Sequence, residues 1–416
     1  MDPLLTDSGR LIVDAHAFDI GMPASDAVIR ITPKNDPNNV LEELVTNSSG
    51  QTPVVDLPAP PVEFSMNSTS NYKPYSEYDV YATMRGYDKV FVEGVQILPD
   101  TESYQGVDLT PRPNYADQLD IIRISEHTLW GDFPPKIPED EVKPLPPATG
   151  LVVLPKPVIP EFMIVHAGKP DNAAAPNYWV PFKDYIKNVA CSEIYATWPE
   201  QTIRANVLAI ISFALNRVFT EWYRSQGHPF TITNSTAYDQ AYVHGRNIFT
   251  QISRVVDNIF TTYITRPNIR QPLMTQYCDG QRVSCPGWMT QWGSKSLGDQ
   301  GYSAINILKY YYGYEIYLTQ AAKVSGVPAS YPGYALRVGS SGPNVRVIQE
   351  QLNAISKNFP AIPKVRVDGV FGPATRASVQ TFQNIFHLAP DGIVGFGTWY
   401  RLSFIYVAVT RMAELR

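Results

Sequence analysis

From Gly9 to about Pro99, apolar and polar residues alternate in short runs: LIVDAHAFD, AVIRIT, PVVDLPAP, YDVYATMRGYDK and VFVEGVQI. Turn residues separate the runs. A period of two over such lengths predicts short strands with one buried face, stacked as an antiparallel β-sandwich. Between Val180 and about Gln320 the period changes. Tyr185, Val189, Ile203, Val207, Ile210, Ile211, Ala214, Leu215 and Val218 recur every three or four residues, as the buried face of a helix requires. Pro199 followed by Glu200 and Thr202 opens the second of these helices. Another is predicted over Ala304–Tyr312, with Ile305, Leu308 and Tyr312 on its inner side. From Tyr334 onward the form DGxxGxxT occurs twice, at Asp368–Thr375 and Asp391–Thr398. Each copy reads as a glycine-rich turn feeding a helix. Val379, Phe382, Gln383 and Phe386 lie between them at helical spacing.

Proline separates these blocks. Nine prolines fall between Asp132 and Pro160, and a residue without an N–H and with a fixed φ excludes a helix or a central strand there. An extended, exposed connector is expected, with PEDEVK at its centre open to a protease. The resulting division is a β-sandwich over 1–110, a connector over 111–160, a central mixed α/β domain over 161–325 and a small three-helix domain over 334–416. The fold class is multidomain α+β.

Composition narrows the function classes. With 34 Lys+Arg against 39 Asp+Glu and a net charge of -5, binding to nucleic acid through a general basic surface is not expected. No uninterrupted apolar run reaches the roughly 20 residues of a membrane span, so membrane insertion is not expected. MDPLLTDSGR lacks the basic start and apolar stretch of a secretory signal. Three cysteines exclude a disulfide scaffold.

Three resemblances to known families add to this reading. LRVGSSGPNVRVIQEQLN and DGVFGPATRASVQTFQNIFHLAPDGIVGFGTW resemble the peptidoglycan-binding type 1 domain over almost its whole length. The matching positions include Arg337, Gly339, Gly342, Gln349, Leu352, Gln383 and the two turns. Arg337, Gln383 and Trp399 are the candidates for wall contact. GRLIVDAHAFDIGMPASDAVIRI with TNSSGQTPVVDLP resembles transthyretin-like or carboxypeptidase-regulatory sandwiches, and no catalytic constellation stands out in it. VPFKDYIKNVACSEIYATWPEQTIRANVLAIISFAL, the later STAYDQAY and MTQWGSKSLGDQGYSAINILKYYYG resemble, in order, three elements of the SpoIID/LytB family. That family implies lytic transglycosylase activity on peptidoglycan glycan strands.

Residue matching puts the family's catalytic acid on Glu193. A lytic transglycosylase needs one carboxyl group with a raised pKa to protonate the glycosidic oxygen. The C6 hydroxyl of the substrate then serves as nucleophile, so the second carboxylate of ordinary glycosidases is not obligatory. Glu193 stands among apolar and aromatic neighbours, where desolvation favours the protonated acid. Alone it would read as a helix-end glutamate that caps or pairs; the flanking matches favour catalysis. Tyr238, Tyr242, Gln291, Trp292 and Lys295 are the candidate substrate contacts, since aromatic faces suit sugar C–H groups. Most such rings, Tyr195, Trp198 and Trp288 included, are expected in the core. The family's arginine is replaced by Ile211, and Arg204, Arg217 and Lys295 are the candidates to replace it in space. Some family members bind a metal near Cys278 and Cys285. A zinc site needs about four ligands, and the six histidines show no local ligand spacing. Structural thiols or a disulfide are therefore preferred to zinc, and no cofactor is expected.

The order of sandwich, connector, SpoIID-like domain and wall-binding module resembles the spore cortex-lytic enzymes of the SleC type. LVVLPKPVIPEFMIVHAGKP is similar to the start of their mature region. The resemblance implies a pro-enzyme stored in the spore cortex or coat region, activated by a subtilisin-like protease at germination, with cortex glycan as its partner. The rival readings are a non-catalytic wall-binding protein and a phage or secreted wall hydrolase of other bond specificity, such as an amidase.

Overall fold

The computed structural model describes residues 4–17, 22–112, 118–144, 157–323, 332 and 334–410. The N-terminal sandwich is built from β1 (Asp7–Ala17), β2 (Met22–Pro23), β3 (Val28–Pro33), β4 (Glu42–Val45), β5 (Val55–Ala59), the short α1 (Glu63–Met66), β6 (Ser76–Thr83), β7 (Lys89–Ile97), β8 (Glu102–Leu109) and β9 (Leu119–Arg123). Alternation produces its core: Leu11, Val13 and Ala15 of β1 face Ile29 and Ile31 of β3 and Val80 and Ala82 of β6, all buried. One sheet runs β4-β3-β6-β7-β9; the other has β1 between β8 and β2, with β5 also paired to β1.

Two pairings depart from the antiparallel expectation. β1 with β8, and β7 with β9, run parallel. The chain leaves β7 for the opposite sheet at β8 and then returns as β9, so β9 enters in the direction of β7. The sandwich therefore extends past residue 110, into the segment expected to be connector.

The central domain wraps the twenty-residue α3 (Glu200–Phe219), whose Ile203, Val207, Ile210, Ile211, Ala214 and Leu215 are buried. α2 (Phe182–Glu193) and α3 each follow a proline, Pro181 and Pro199, whose fixed φ sets the chain at the helix entrance. Small sheets surround the helices. β10 (Val158–Ile159) joins β19 (Ala322–Lys323), and β11 (Phe162–His166) lies between β12 (Asn177–Pro181) and β13 (Ile232–Thr233). β14 (Ile248–Phe249) precedes α4 (Thr250–Ile259), β15 (Thr262–Thr265) pairs with β18 (Tyr317–Gln320), and β16 (Tyr277–Cys278) pairs with β17 (Met289–Thr290). α5 (Gln291–Asp299) and α6 (Ala304–Tyr312) complete the domain. On α6 the inward side is Ala304, Ile307, Leu308 and Tyr312, with Ile305 only half-buried.

Sandwich and central domain are joined, not merely tethered. β14 adds to the sandwich sheet beside β8. Asn247 Nδ2 donates to Gln96 O at 2.8 Å, and Arg246 donates to Gln96 Oε1 at 2.8 Å and Ser125 O at 3.0 Å. Tyr75, Leu98 and Leu129 sit in the central core. The connector is extended, as proline requires, but residues 132–144 are fastened to the central domain rather than free. Residues 145–156, in the remaining part of the expected cleavage region, lie outside the described residues, as does most of the linker SGVPASYPG.

The C-terminal module consists of α7 (Pro343–Ile355), α8 (Pro373–Ile385) and α9 (Phe396–Thr410). Its two DGxxGxxT copies are held by equivalent buried glutamines. Gln349 Nε2 donates to Asp368 Oδ1, Val370 O and Thr375 Oγ1, while its Oε1 accepts from Gly369 N at 2.8 Å. Gln383 does the same with Asp391 Oδ1, Ile393 O, Thr398 Oγ1 and Gly392 N at 2.8 Å. Gly369 and Gly392 have φ of +75° and +73°, which a Cβ would strain. Replacing Gln383 with Leu takes away the partner of the Gly392 N–H and of the Ile393 carbonyl, while Asp391 Oδ1 keeps only the Ile393 N–H. It is expected to destabilise the module by ~2–3 kcal/mol, read as earlier thermal unfolding of the module and faster amide exchange at Gly392 and Ile393.

Candidate functional site

Glu193 is the last residue of α2, and Ile194 after it turns extended (φ -137°, ψ 149°). The carboxyl is buried, 3% exposed, at the negative end of the helix dipole, an environment that disfavours its charge. Its oxygens have fixed partners. Oε1 accepts from the Ala241 N–H at 2.8 Å and Oε2 from the Tyr277 hydroxyl at 2.5 Å. Burial pushes its pKa above 4.5; the Lys136 charge, the Ala241 N–H and Tyr277 oppose that rise without cancelling it.

A second layer fixes these donors. Gln240 Nε2 donates to the Tyr277 hydroxyl and to Ile210 O, both at 3.1 Å, and its Oε1 accepts from the Tyr185 hydroxyl at 2.9 Å. Asn188, one turn before Glu193 on α2, exchanges two hydrogen bonds with the backbone of Val243, at 2.7 and 2.9 Å. The loop carrying Ala241 is thus clamped to the helix that carries the acid. Asp239, fully buried, accepts from Arg217 Nε at 2.7 Å, Tyr223 OH at 2.6 Å, and Thr233 N and Oγ1. Arg217 also grips Glu139 of the connector through two bonds of 2.9 and 2.6 Å. Burial would raise the Glu139 pKa, but the hydrogen bonds and charge of Arg217, with Lys143, hold it below its ordinary value.

Above Glu193 opens a small cleft, lined by Thr128, Phe133, Pro134 and Lys136 from the connector side, and by Thr236, Tyr277, Cys278, Asp279, Val283 and Gln291. Cys278 and Cys285 are joined in a disulfide that closes the loop forming one wall. Among the described residues, no three His, Cys, Asp or Glu side chains gather as a metal site would require.

Of the other sequence candidates, Gln291 lines the cleft. Tyr242 lies beneath it, stacked on Tyr185 at 5.9 Å. Trp292 packs on Trp198 at 5.0 Å in the core, and Lys295 pairs with Asp299 at 2.7 Å. Tyr238 takes part through its carbonyl, which accepts from Arg217. Ile211 is buried in α3, and Arg217 is fully engaged with acids, so neither brings a cation to Glu193. Lys136 does. Nothing in the local sequence marks Lys136, which arrives from 57 positions upstream of the acid. The sequence likewise does not mark Tyr277, Gln240 and Tyr185 as a chain, although Gln240 stands within STAYDQAY. Cys191 accepts from Phe249 N at 3.4 Å, and burial pushes its thiol pKa up to about 12, which excludes a ready nucleophile.

In the C-terminal module Arg337 is exposed, but Gln383 and Trp399 are 1% and 0% exposed. They hold the module together and offer no surface to a polymer, which corrects their assignment as contact residues.

Residues 341–402 match the family model described as "Putative peptidoglycan binding domain". The match covers the helical C-terminal module. A zinc D-Ala-D-Ala carboxypeptidase of Streptomyces albus G is 41% identical over 68 residues, 16% of this chain and 25% of that protein. An uncharacterised protein of Kitasatospora aureofaciens is 45% identical over 65 residues, 15% of this chain and 51% of that one. The chain thus spans a quarter and about half of the lengths of these relatives. Among solved structures, the SleB N-terminal domain aligns at 28% identity over 18% of this chain and 99% of its own, with a TM-score of 0.17. The 5-hydroxyisourate hydrolase of Klebsiella pneumoniae aligns at 12% identity over 24% and 90%, with a TM-score of 0.17.

The raised pKa of Glu193 has a stability consequence. The folded state holds this proton more tightly than the unfolded chain, so its contribution is full below about pH 4.5 and is lost as pH rises toward the folded value. Relative to Glu193→Gln, the parent is expected to lose stability over that interval and to run parallel above it. Denaturant titrations of both proteins at pH 4 to 8 measure this difference.

Proposed function

We propose that the chain cleaves peptidoglycan glycan strands as a lytic transglycosylase, with Glu193 as the single acid and base. The observation that carries this reading is a buried carboxyl with a raised pKa at the floor of a solvent-open cleft, in a chain that ends in a wall-binding module. The protonated carboxyl donates to the glycosidic oxygen as the bond to the anomeric carbon breaks. The resulting carboxylate then takes the proton of the muramic acid C6 hydroxyl while that oxygen closes on the anomeric carbon. The products are a shortened strand and a 1,6-anhydro end, and Glu193 is returned protonated. Ala241 N–H and the Tyr277 hydroxyl hold the carboxylate in place during its ionised interval, and Gln240 keeps Tyr277 aimed. Gln291 and Thr236 on the cleft wall are the polar groups available to sugar hydroxyls.

In this reading spore cortex is the substrate, and the intact chain is a precursor whose N-terminal part is removed after cleavage by a subtilisin-like protease. Supporting it are the segment that lies over the acid and the resemblance of the domain order to cortex-lytic enzymes.

Glu193→Gln is nearly isosteric but carries no proton to deliver. It is expected to keep the fold and lower glycan cleavage by about 10²–10⁴-fold. Mass spectrometry of fragments released from purified cortex reads the outcome: anhydro-muropeptides from the parent and almost none from the variant. Muropeptides lacking anhydro ends would point to another bond. Removal of residues from Tyr334 onward is expected to weaken pelleting with insoluble peptidoglycan while leaving the unfolding of the remainder nearly unchanged. The module has its own core around Leu352, Phe382 and Trp399.

A further inference from the structure

Residues Asp132–Pro144 form no helix or strand, yet they are bound along their length. Two glutamines of the central domain read their backbone. Gln276 accepts from Glu139 N at 2.8 Å and donates to Ile137 O at 2.7 Å. Gln271 accepts from Lys143 N and donates to Lys143 O, both at 2.9 Å. Ile137 N reaches Ala237 O at 2.7 Å, and Met274 N donates to Glu141 O at 3.0 Å. Charges alternate in register: Glu139 meets Arg217, Glu141 meets Arg266 at 2.8 Å, and the Lys143 ammonium stands 4.5 Å from the Trp222 ring centre.

At the head of this segment Phe133 and Pro134 line the cleft. The Lys136 ammonium enters it, donating to Asp239 O and standing 4.9 Å and 5.3 Å from the ring centres of Phe213 and Tyr277. It lines the cleft together with Glu193, and its charge acts on that carboxyl.

We infer that Asp132–Pro144 is a strap that occupies the cleft in place of substrate, with Lys136 as the charge partner of Glu193, and that the intact chain is latent for this reason. The inference rests on the assignment of Glu193 as the acid. Its hold is intramolecular, so modest contacts suffice to compete with a polymer supplied in trans. Two consequences follow. Cutting the chain after Lys143 leaves the strap seated, because every bond described above lies at or before that residue. Activation then requires the strap and the sandwich to leave together. Departure removes the Lys136 charge that opposes the rise of the Glu193 pKa, together with part of the burial that causes the rise.

The test uses the full chain with Lys136→Ala alone and combined with Phe133→Ala, folding being checked by thermal melts. Cortex lysis by the unproteolysed variants is expected to exceed that of the parent by at least about tenfold, since tenfold corresponds to only ~1.4 kcal/mol. Where the proteolysed parent lyses cortex, unchanged or lower lysis by the variants overturns the inference; a loss would mark Lys136 as a cation that the reaction needs. A binding measurement separates this from failure of the catalytic assignment. In the Glu193→Gln background, with the wall-binding module present in every protein, a soluble disaccharide-peptide fragment of peptidoglycan is titrated by calorimetry. The strap variants are expected to bind it about tenfold more tightly than the parent background. Equal or weaker binding overturns the strap whatever the lysis assay gives. Tighter binding without lysis in any form keeps the strap as a cleft occupant and discards the transglycosylase reading.

Discussion

The guanidinium of Arg217 organises the centre of the molecule. Its fully buried charge would be strongly destabilising without acids, and it holds two of them: Asp239 from the loop before β14 and Glu139 from the connector. Through Asp239 it fixes the loop that delivers the Ala241 N–H to Glu193. Through Glu139 it fixes the segment that brings Lys136 to the same carboxyl. Removing either acid leaves a buried charge short of a partner, which is far more costly than an exposed pair could be. One side chain on α3 thus sets both the geometry of the candidate acid and the state of its cleft.

Around that centre, neutral groups are arranged to keep Glu193 oriented. His127 packs at a tilt against Tyr195, ring centres 4.4 Å apart, and its Nε2 lies 3.3 Å from Ile194 O, at the turn where α2 ends. Burial and then the charge of Arg246 hold its pKa well below the usual value, so it stays neutral. Arg246 itself bonds Gln96 and Ser125, and also Cys191 O on α2. The sandwich therefore reaches to within two residues of the acid, through polar contacts that a loosely tethered spacer would lack.

What the sequence made legible was local. The period of the strands, the turn to helical spacing at Val180 and the repeated DGxxGxxT all depend on residues within a dozen positions, where side-chain direction follows backbone geometry. Glu193 could be nominated because its flanks form a recognisable pattern. The unseen parts are long-range. The parallel return of β9, the addition of β14 to another domain's sheet and the docking of Lys136 each join segments tens to more than a hundred residues apart. Gln383 and Trp399 show a different limit. Their pattern marks them as important but does not say whether a glutamine binds a ligand or ties a turn. The equivalent Gln349 bonds, seen beside it, settle that the turn is what it holds.

If the N-terminal part separates as proposed, the pairing of β14 with β8 has a bearing on its fate. Within the intact chain, Ser103 and Tyr104 on the outer side of β8 are covered by Ile248 and Phe249. A departing sandwich would carry away β8 with that edge bare, together with the Tyr75 and Leu98 surfaces now inside the central core. An open strand edge beside fresh apolar surface is a template for association. Such a fragment would cling to its former seat, to copies of itself or to other exposed strands. Its disposal, by further proteolysis or by capture, thus becomes a separate problem from the cut that frees it.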